Sequence, residues 1–196
     1  MKIEPIVLTG NQVRLAPLSR DHVAELAIAG NQENIWNYMR YGAIDSPEKM
    51  LSFVEYMLDL QARGTDQPFT VIHLPTGKAI GMTRYIEIDP ANRSVEIGGT
   101  WYEVAYQRTM VNTETKFLLL QHAFERLGCI RVQFKTDLRN ERSQRAIERI
   151  GAVREGVLRD HIILPDGTIR SSVFFSILAA EWPAVKQRLT DLIHSY

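Results

Sequence analysis

Two observations predict a mixed α/β fold for this 196-residue chain. Between Pro68 and Val104, three runs of alternating apolar and polar residues follow one another with tight turns between them, the pattern of an antiparallel meander. Between Trp101 and Phe134 the period changes from strand to helix and back to strand, which predicts a central β-α-β crossover and hence a parallel, right-handed connection. Together they imply a single mixed, mostly antiparallel sheet of about seven strands flanked by helices.

Taken in order, Val13, Leu15 and Pro17 open a short strand, and Ser19 or Asp21 caps a helix that runs through Ala29. The next segment, Asn34 to Gly42, is aromatic and ends in glycine. Its Trp36, Tyr38 and Tyr41 are candidates to line a substrate pocket, the alternative being a helix end tucked onto the core. Ser46-Pro47-Glu48 starts a helix with proline at its first position, and that helix ends before Gly64. Phe69 to Leu74, the turn Pro75-Thr76-Gly77 and Lys78 to Ile88 read as two strands. In the second, Ile80, Met82, Ile86 and Ile88 alternate with Gly81, Thr83, Tyr85 and Glu87. A turn over Asp89 to Arg93 leads to a third strand, Val95 to Val104. Phe117, Leu120, Phe124 and Leu127 then mark one face of a helix, stopped by Arg126 in its last turn and Gly128 beyond. Ile130, Val132 and Phe134 alternate with Arg131, Gln133 and Lys135 in a further strand. Asn140 caps a short helix with Ala146, Ile147 and Ile150 facing inward and Gly151 at its end. Val153 to Leu164, the turn Pro165-Asp166-Gly167 and Ile169 to Leu178 form a hairpin, and Glu181-Trp182-Pro183 starts a last helix.

The length suits one domain. Lysines plus arginines balance aspartates plus glutamates at 23 each, so neither a basic excess for nucleic acid nor an acidic tail for a basic partner is present. No apolar run reaches the length of a membrane span and the N-terminal stretch lacks a signal-peptide core, so the expectation is a cytoplasmic protein off the membrane. The one cysteine, Cys129, begins an apolar strand and is expected in the core.

Chemistry concentrates in the polar loop Tyr106 to Thr113, between the third strand and the central helix. Backbone N–H groups at a helix N-terminus form a ready anion site, above all for phosphate.

Beyond these patterns, Glu96-Ile97-Gly98, Gln107-Arg108-Thr109-Met110-Val111-Asn112, Asn140 with Ser143, Gly151-Ala152 and Glu155-Gly156-Val157-Leu158-Arg159 occur in this order. So ordered, the chain resembles the GNAT superfamily of acyl-CoA-dependent N-acetyltransferases. Arg159, Asp166-Gly167, Ser176-Ile177-Leu178 and Glu181-Trp182 make it similar to the branch that includes the ribosomal-protein N-terminal acetyltransferases. The resemblance runs from about Val13 to about Trp182 and implies a GNAT-like sheet with acetyl-CoA lying where the third strand and the strand after Gly128 splay apart. It implies that the pantetheine arm pairs with the backbone of Tyr102, Glu103 and Val104. The pyrophosphate then rests on Gln107, Arg108, Thr109, Met110, Val111, Asn112 and Thr113, and Asn140 and Ser143 contact the pantetheine. The loop departs from the family pattern, since Met110 and Asn112 stand where small residues are usual. A methionine can offer the same N–H only at negative φ, and Asn112 can cap the helix instead. Glu114 should point away from phosphate.

Transfer to an amine calls for a base, because an aliphatic ammonium has a pKa near 10. Glu96 matches the family's strand carboxylate, either as base or as a salt-bridged strand residue, and should face the cleft while Val95 and Ile97 face away. His161 on the late hairpin is a second candidate base or a structural histidine. Ile147 stands where many relatives carry an acidic tyrosine, which leaves Ser143 as a candidate acid for the leaving thiolate, or a packing residue. The oxyanion donor would be a backbone N–H near Tyr102 to Val104. Arg139, Arg142, Arg145 and Arg149 form a basic cluster that is either a solvated face or, in one member, a contact to phosphate. The resemblance thus implies an N-acetyltransferase acting by direct attack in a ternary complex without metal. The acceptor is a protein N-terminus or a small-molecule amine, with a dimer partner as one contributor to its selection. The alternative is a non-catalytic module that binds acyl-CoA.

Overall fold

A computed structural model of the chain describes residues 1–32 and 34–195. One eight-stranded sheet organises it, in the order β1-β2-β3-β4-β5-β6-β8-β7. The strands are β1 Leu8–Thr9, β2 Val13–Pro17, β3 Gln67–His73, β4 Lys78–Asp89, β5 Ser94–Tyr102, β6 Arg131–Asp137, β7 Val153–Ile163 and β8 Ile169–Leu178. The helices are α1 Val23–Gly30, α2 Pro47–Ala62, α3 Met110–Gln121, α4 Glu141–Arg149 and α5 Trp182–His194. Pair β5–β6 is parallel, and the other pairs among the described residues are antiparallel. The predicted fold class therefore stands. The extra strand beyond the expected seven is β1, two residues long and too short to carry a period.

Two cores cover the two faces of the sheet. Val95, Ile97, Val132, Phe134, Val173 and Phe175 pack with α3 and α5 on one face. Met82 and Trp101 pack with Leu26, Met50, Phe53 and Met57 of α1 and α2 on the other. Strand β4 is buried on both faces from Ala79 to Tyr85, so its alternating pattern concealed a second buried row. Tyr85 in that row donates to the Leu119 carbonyl of α3 at 2.6 Å.

The start of α3 differs from expectation. Thr109, not Asn112, is the N-cap, and its Oγ1 accepts from the Val111 N–H at 3.3 Å. Asn112 lies in the first turn and accepts from the Tyr102 hydroxyl at 3.3 Å. At the far end α3 widens into a π-helical turn over His122–Arg126 before Gly128, at φ 68°. Phe117 and Phe124 face α5 and meet Trp182, with ring centroids 6.3 and 5.4 Å away. Cys129 is buried, and burial pushes its thiol up to about 11.

Candidate active site

The pairing of β5 with β6 stops at Glu96 opposite Gln133. Beyond that point β5 bulges, with Gly99 at φ 57° and no room for a Cβ against the Arg84 side chain at 2.8 Å. The two strands diverge, and a cavity of about 620 Å³ opens between them, lined by the bulge Gly98-Gly99-Thr100, by Phe134 and Lys135 of β6, and by α4.

One end of the cavity is the N-terminus of α3. Gln107, Arg108, Thr109 and Asn112 line it, with Asn140, Arg142, Ser143, Arg145 and Arg149 across from them. The left-handed conformation expected to tax Met110 falls instead on Arg108, at φ 62°. Met110 takes the first helical position and does not line the cavity. Gln107 braces the turn by donating to the Tyr102 carbonyl at 3.0 Å while accepting from Arg142 at 2.7 Å. Asn140 caps α4, its Oδ1 accepting from the Ser143 N–H at 3.1 Å. Glu114 does point away: its carboxylate takes the N–H groups of Asn11, Gln12 and Val13 at 2.6 to 2.8 Å. A helix N-terminus beside arginines makes this end suited to phosphate, so the donor set fits the pyrophosphate of a coenzyme A.

Other residues of the sequence-based set lie elsewhere. Val111 and Thr113 are buried beneath the helix start, and the Thr113 hydroxyl accepts from Arg149 at 2.7 Å. The Glu103 N–H already donates to the Ile80 carbonyl at 2.8 Å and the Val104 N–H to Gln32 Oε1 at 2.7 Å. In this structure the Glu103 and Val104 N–H groups are therefore engaged by β4 and Gln32, and neither is open as an oxyanion donor. Tyr102 does line the cavity.

The other end gathers groups from far apart in the chain. Glu96 is 2% exposed; its Oε2 accepts from Gln133 Nε2 at 2.8 Å and lies 3.3 Å from Lys135 Nζ. Its Oε1 lies beside Gly98, 3.1 Å from where a Cβ would stand. Val95 is buried with the α3 core as expected, while Ile97 both packs there and edges the cavity. Tyr38 and Tyr41 line the cavity, but Trp36 does not. Its ring is buried against Trp101, with centroids 5.0 Å apart, and its Nε1 donates to the Gly30 carbonyl at 2.9 Å. His161 also lies outside the cavity wall, tilted against Phe174 with centroids 5.5 Å apart. Its Nδ1 is buried without a partner, and burial and then Lys135 lower its pKa.

Sequence reasoning missed three buried cationic side chains here. Arg84 of β4 is 7% exposed, pairs with Asp66 at 2.8 Å and donates to the Tyr41 hydroxyl. Arg170 of β8 is 6% exposed. Lys116 reaches from α3 to donate to Thr100 Oγ1 at 2.7 Å, and burial pushes it down to about 7. The signal that could have found Lys116 is a charge one residue before the apolar Phe117, on a helix flanked by buried strands.

The chain matches the family model described as "Acetyltransferase (GNAT) domain" over residues 12–153. It is 28% identical over 174 residues to a Bacillus subtilis protein named "Putative ribosomal N-acetyltransferase YdaF", covering 88% of this chain and 92% of that one. Among solved structures, a GCN5-related N-acetyltransferase from Brucella melitensis superposes with a TM-score of 0.92 at 30% identity, over 98% of this chain and 87% of that one. Mycobacterium smegmatis RimJ, solved in complex with CoA-disulfide, shares the fold at 19% identity and a TM-score of 0.81, over 96% of this chain and 95% of that one. Over most of its length, then, the chain reads and folds as its relatives do, and it belongs to the GNAT acetyltransferase family.

Proposed function

We propose that the protein moves an acetyl group from acetyl-CoA to a primary amine by direct attack within a ternary complex. The observation that carries this reading is the single cavity running from the α3 N-terminus, past the β5 bulge, to the free Oε1 of Glu96. The helix start and its arginines hold the phosphates, and the splay between β5 and β6 takes the pantetheine arm. The thioester then lies against the Gly98-Gly99-Thr100 bulge, whose backbone supplies the oxyanion donor in place of Glu103 and Val104. The amine nitrogen attacks the thioester carbon, its proton passes toward Glu96, and the C–S bond breaks to release the thiolate.

Ser143 of α4, one turn before Ile147, and Lys116 of α3 both line the cavity and bear protons. Either supplies the thiolate's proton, and Lys116, poised near neutrality, is the better matched. The ribosomal name of the B. subtilis relative supports a protein N-terminus as one acceptor class.

The test combines two measurements. Acetyl-CoA at millimolar concentration raises the melting temperature by mass action, and free CoA appears over a panel of amines. A melting shift with no CoA release for any amine would favour the non-catalytic acyl-CoA-binding module, to which Ile147 lends support.

A further inference from the structure

Nine basic side chains and one carboxylate, Glu96, line the cavity, although the whole chain has a formal net charge of zero. Arg108, Arg142, Arg145 and Arg149 belong to the end suited to phosphate, and Lys116 lies on the floor. Two cations at the opposite end are neutralised from within, Arg84 by Asp66 at 2.8 Å and Lys135 by Glu96 at 3.3 Å. That leaves Arg40 and Arg170, and among the described residues neither has a carboxylate within ion-pair distance.

Arg170 is the informative one. It is 6% exposed, and a charge withdrawn from water with no counter-ion is costly. The acidic groups that act on it are Asp137 and Glu96, but Arg139 already takes both oxygens of Asp137, at 3.0 and 2.7 Å, and Lys135 and Gln133 share Oε2 of Glu96. Two neutral acceptors aim the guanidinium: Nε donates to Ser172 Oγ at 3.1 Å, and Nη1 to the Tyr38 carbonyl at 3.2 Å. Nη2 has no protein acceptor among the described residues and is not among the buried, unpartnered atoms. A planar fork held in place, charged and open on one corner is built to receive an anion.

We propose that the acceptor amine carries a carboxylate, bound by Arg170 with Arg40 at the cavity mouth, while its amino group meets Glu96. The subsite rests on the acetyl-transfer reading for its substrate, but its anion-binding character can be read without turnover. Two sources share this chemistry: a free amino acid, and a peptide whose second residue is acidic. Polyamines and other purely cationic amines are rejected by the same arginines.

The experiment uses the full-length protein with acetyl-CoA and measures CoA release for matched pairs. These are glycine against glycinamide, β-alanine against β-alaninamide, and a tripeptide amide beginning Ser-Asp against one beginning Ser-Asn, with spermidine as the cationic control. The carboxylate member of at least one pair is expected to show kcat/KM about tenfold or more above its neutral twin, the scale of a charge-assisted hydrogen bond. The pair that responds names the source. Arg170→Gln should bring that ratio close to one while the melting shift with acetyl-CoA persists, and Arg40→Ala, at an exposed position, should lower it less. Melting shifts with the same compounds and CoA give a second readout. Carboxylate-dependent stabilisation lost in Arg170→Gln supports the subsite even if no amine is acetylated, an outcome that would sink only the transfer reading. Equal use of both members of every pair, or spermidine as the best acceptor, overturns the proposal.

Discussion

The two ends of the cavity are built in opposite ways. The phosphate-suited end is local: Gln107 to Asn112 lie within one loop and helix start, and the facing arginines lie within the nine residues of α4. Its cations are half-exposed or exposed, and on the proposed reading it would work through backbone N–H groups and a helix dipole, which many side chains can frame. At the opposite end, Tyr38 and Tyr41 come from the loop before α2, Arg84 from β4, Glu96 from β5, Lys135 from β6 and Arg170 from β8. Arg84, Glu96 and Arg170 are buried and the other three half-buried, and each is fixed by a partner distant in sequence. On the proposed reading, a ligand part common to many enzymes would be met by generic backbone features, and the part that varies by side chains that only the assembled sheet brings together.

The largest expected effect tests the second end. Glu96→Gln keeps the hydrogen bond to Gln133 but removes the charge that faces Lys135 and the basicity. Turnover is expected to fall about 10²-fold, the scale of a lost general base, with the acetyl-CoA melting shift unchanged and the loss shrinking at high pH, where the amine arrives neutral. Wild-type turnover at pH 7 would erase the chemical half of the comparison.

Lys116 links the two ends, since it springs from α3 and touches the β5 bulge. Burial lowers it from 10.5 to about 7, so between those values the unfolded chain holds a proton that the folded one has released. Stability from this group therefore rises with pH across that window, and the burial cost is fully present below pH 7. Lys116→Met should gain about 2 kcal/mol at pH 6, after the loss of the Thr100 hydrogen bond, and progressively less toward pH 10. Urea titrations at three pH values measure it; a gain that does not depend on pH would mean the lysine is solvated in place.

At the first end, Asn140→Ala removes a helix cap. A stability loss of about 1 kcal/mol is expected, with acetyl-CoA affinity weakened by about 1–2 kcal/mol if the amide also reaches the pantetheine. A loss of affinity alone would make Asn140 a ligand contact and no structural cap. The smallest effect belongs to Met110→Gly. Because Met110 is already helical, glycine there should leave acetyl-CoA affinity nearly unchanged and cost stability only about 0.5–1 kcal/mol. Calorimetry that showed severalfold tighter binding would restore the steric objection to methionine at this position.

The same division decides what could be read from the sequence. Strands with one apolar face, the helices with capping residues and the β-α-β crossover are all written in near neighbours, whereas Glu96, Gln107 and Asn140, which line the cavity, were pointed to by the family resemblance. The N-cap slipped from Asn112 to Thr109 because both are good caps three residues apart and only the backbone chooses. Trp36 went to the core because Trp101, 65 positions on, offers it a ring to pack against. Arg84 and Arg170 occupy strand positions where a charged residue ordinarily faces water. That both are buried follows from the loop carrying Tyr38 and Tyr41 folding over them, which no periodicity records.

The clamp of Glu114 on three consecutive amides bears on the order in which the molecule assembles. The contact closes across 101 to 103 residues. During synthesis the turn between β1 and β2 is therefore made early and satisfied late, since its acceptor leaves the ribosome about a hundred residues afterwards. Until α3 docks, those amides stay with water, and the first hairpin has only its own pairing and the Gly10 N–H bond to the Val13 carbonyl to hold it closed. In amide hydrogen exchange Asn11, Gln12 and Val13 should accordingly become protected together with α3 and not with the rest of β2, Arg14 to Pro17, making the turn of the first hairpin among the last parts of the sheet to set.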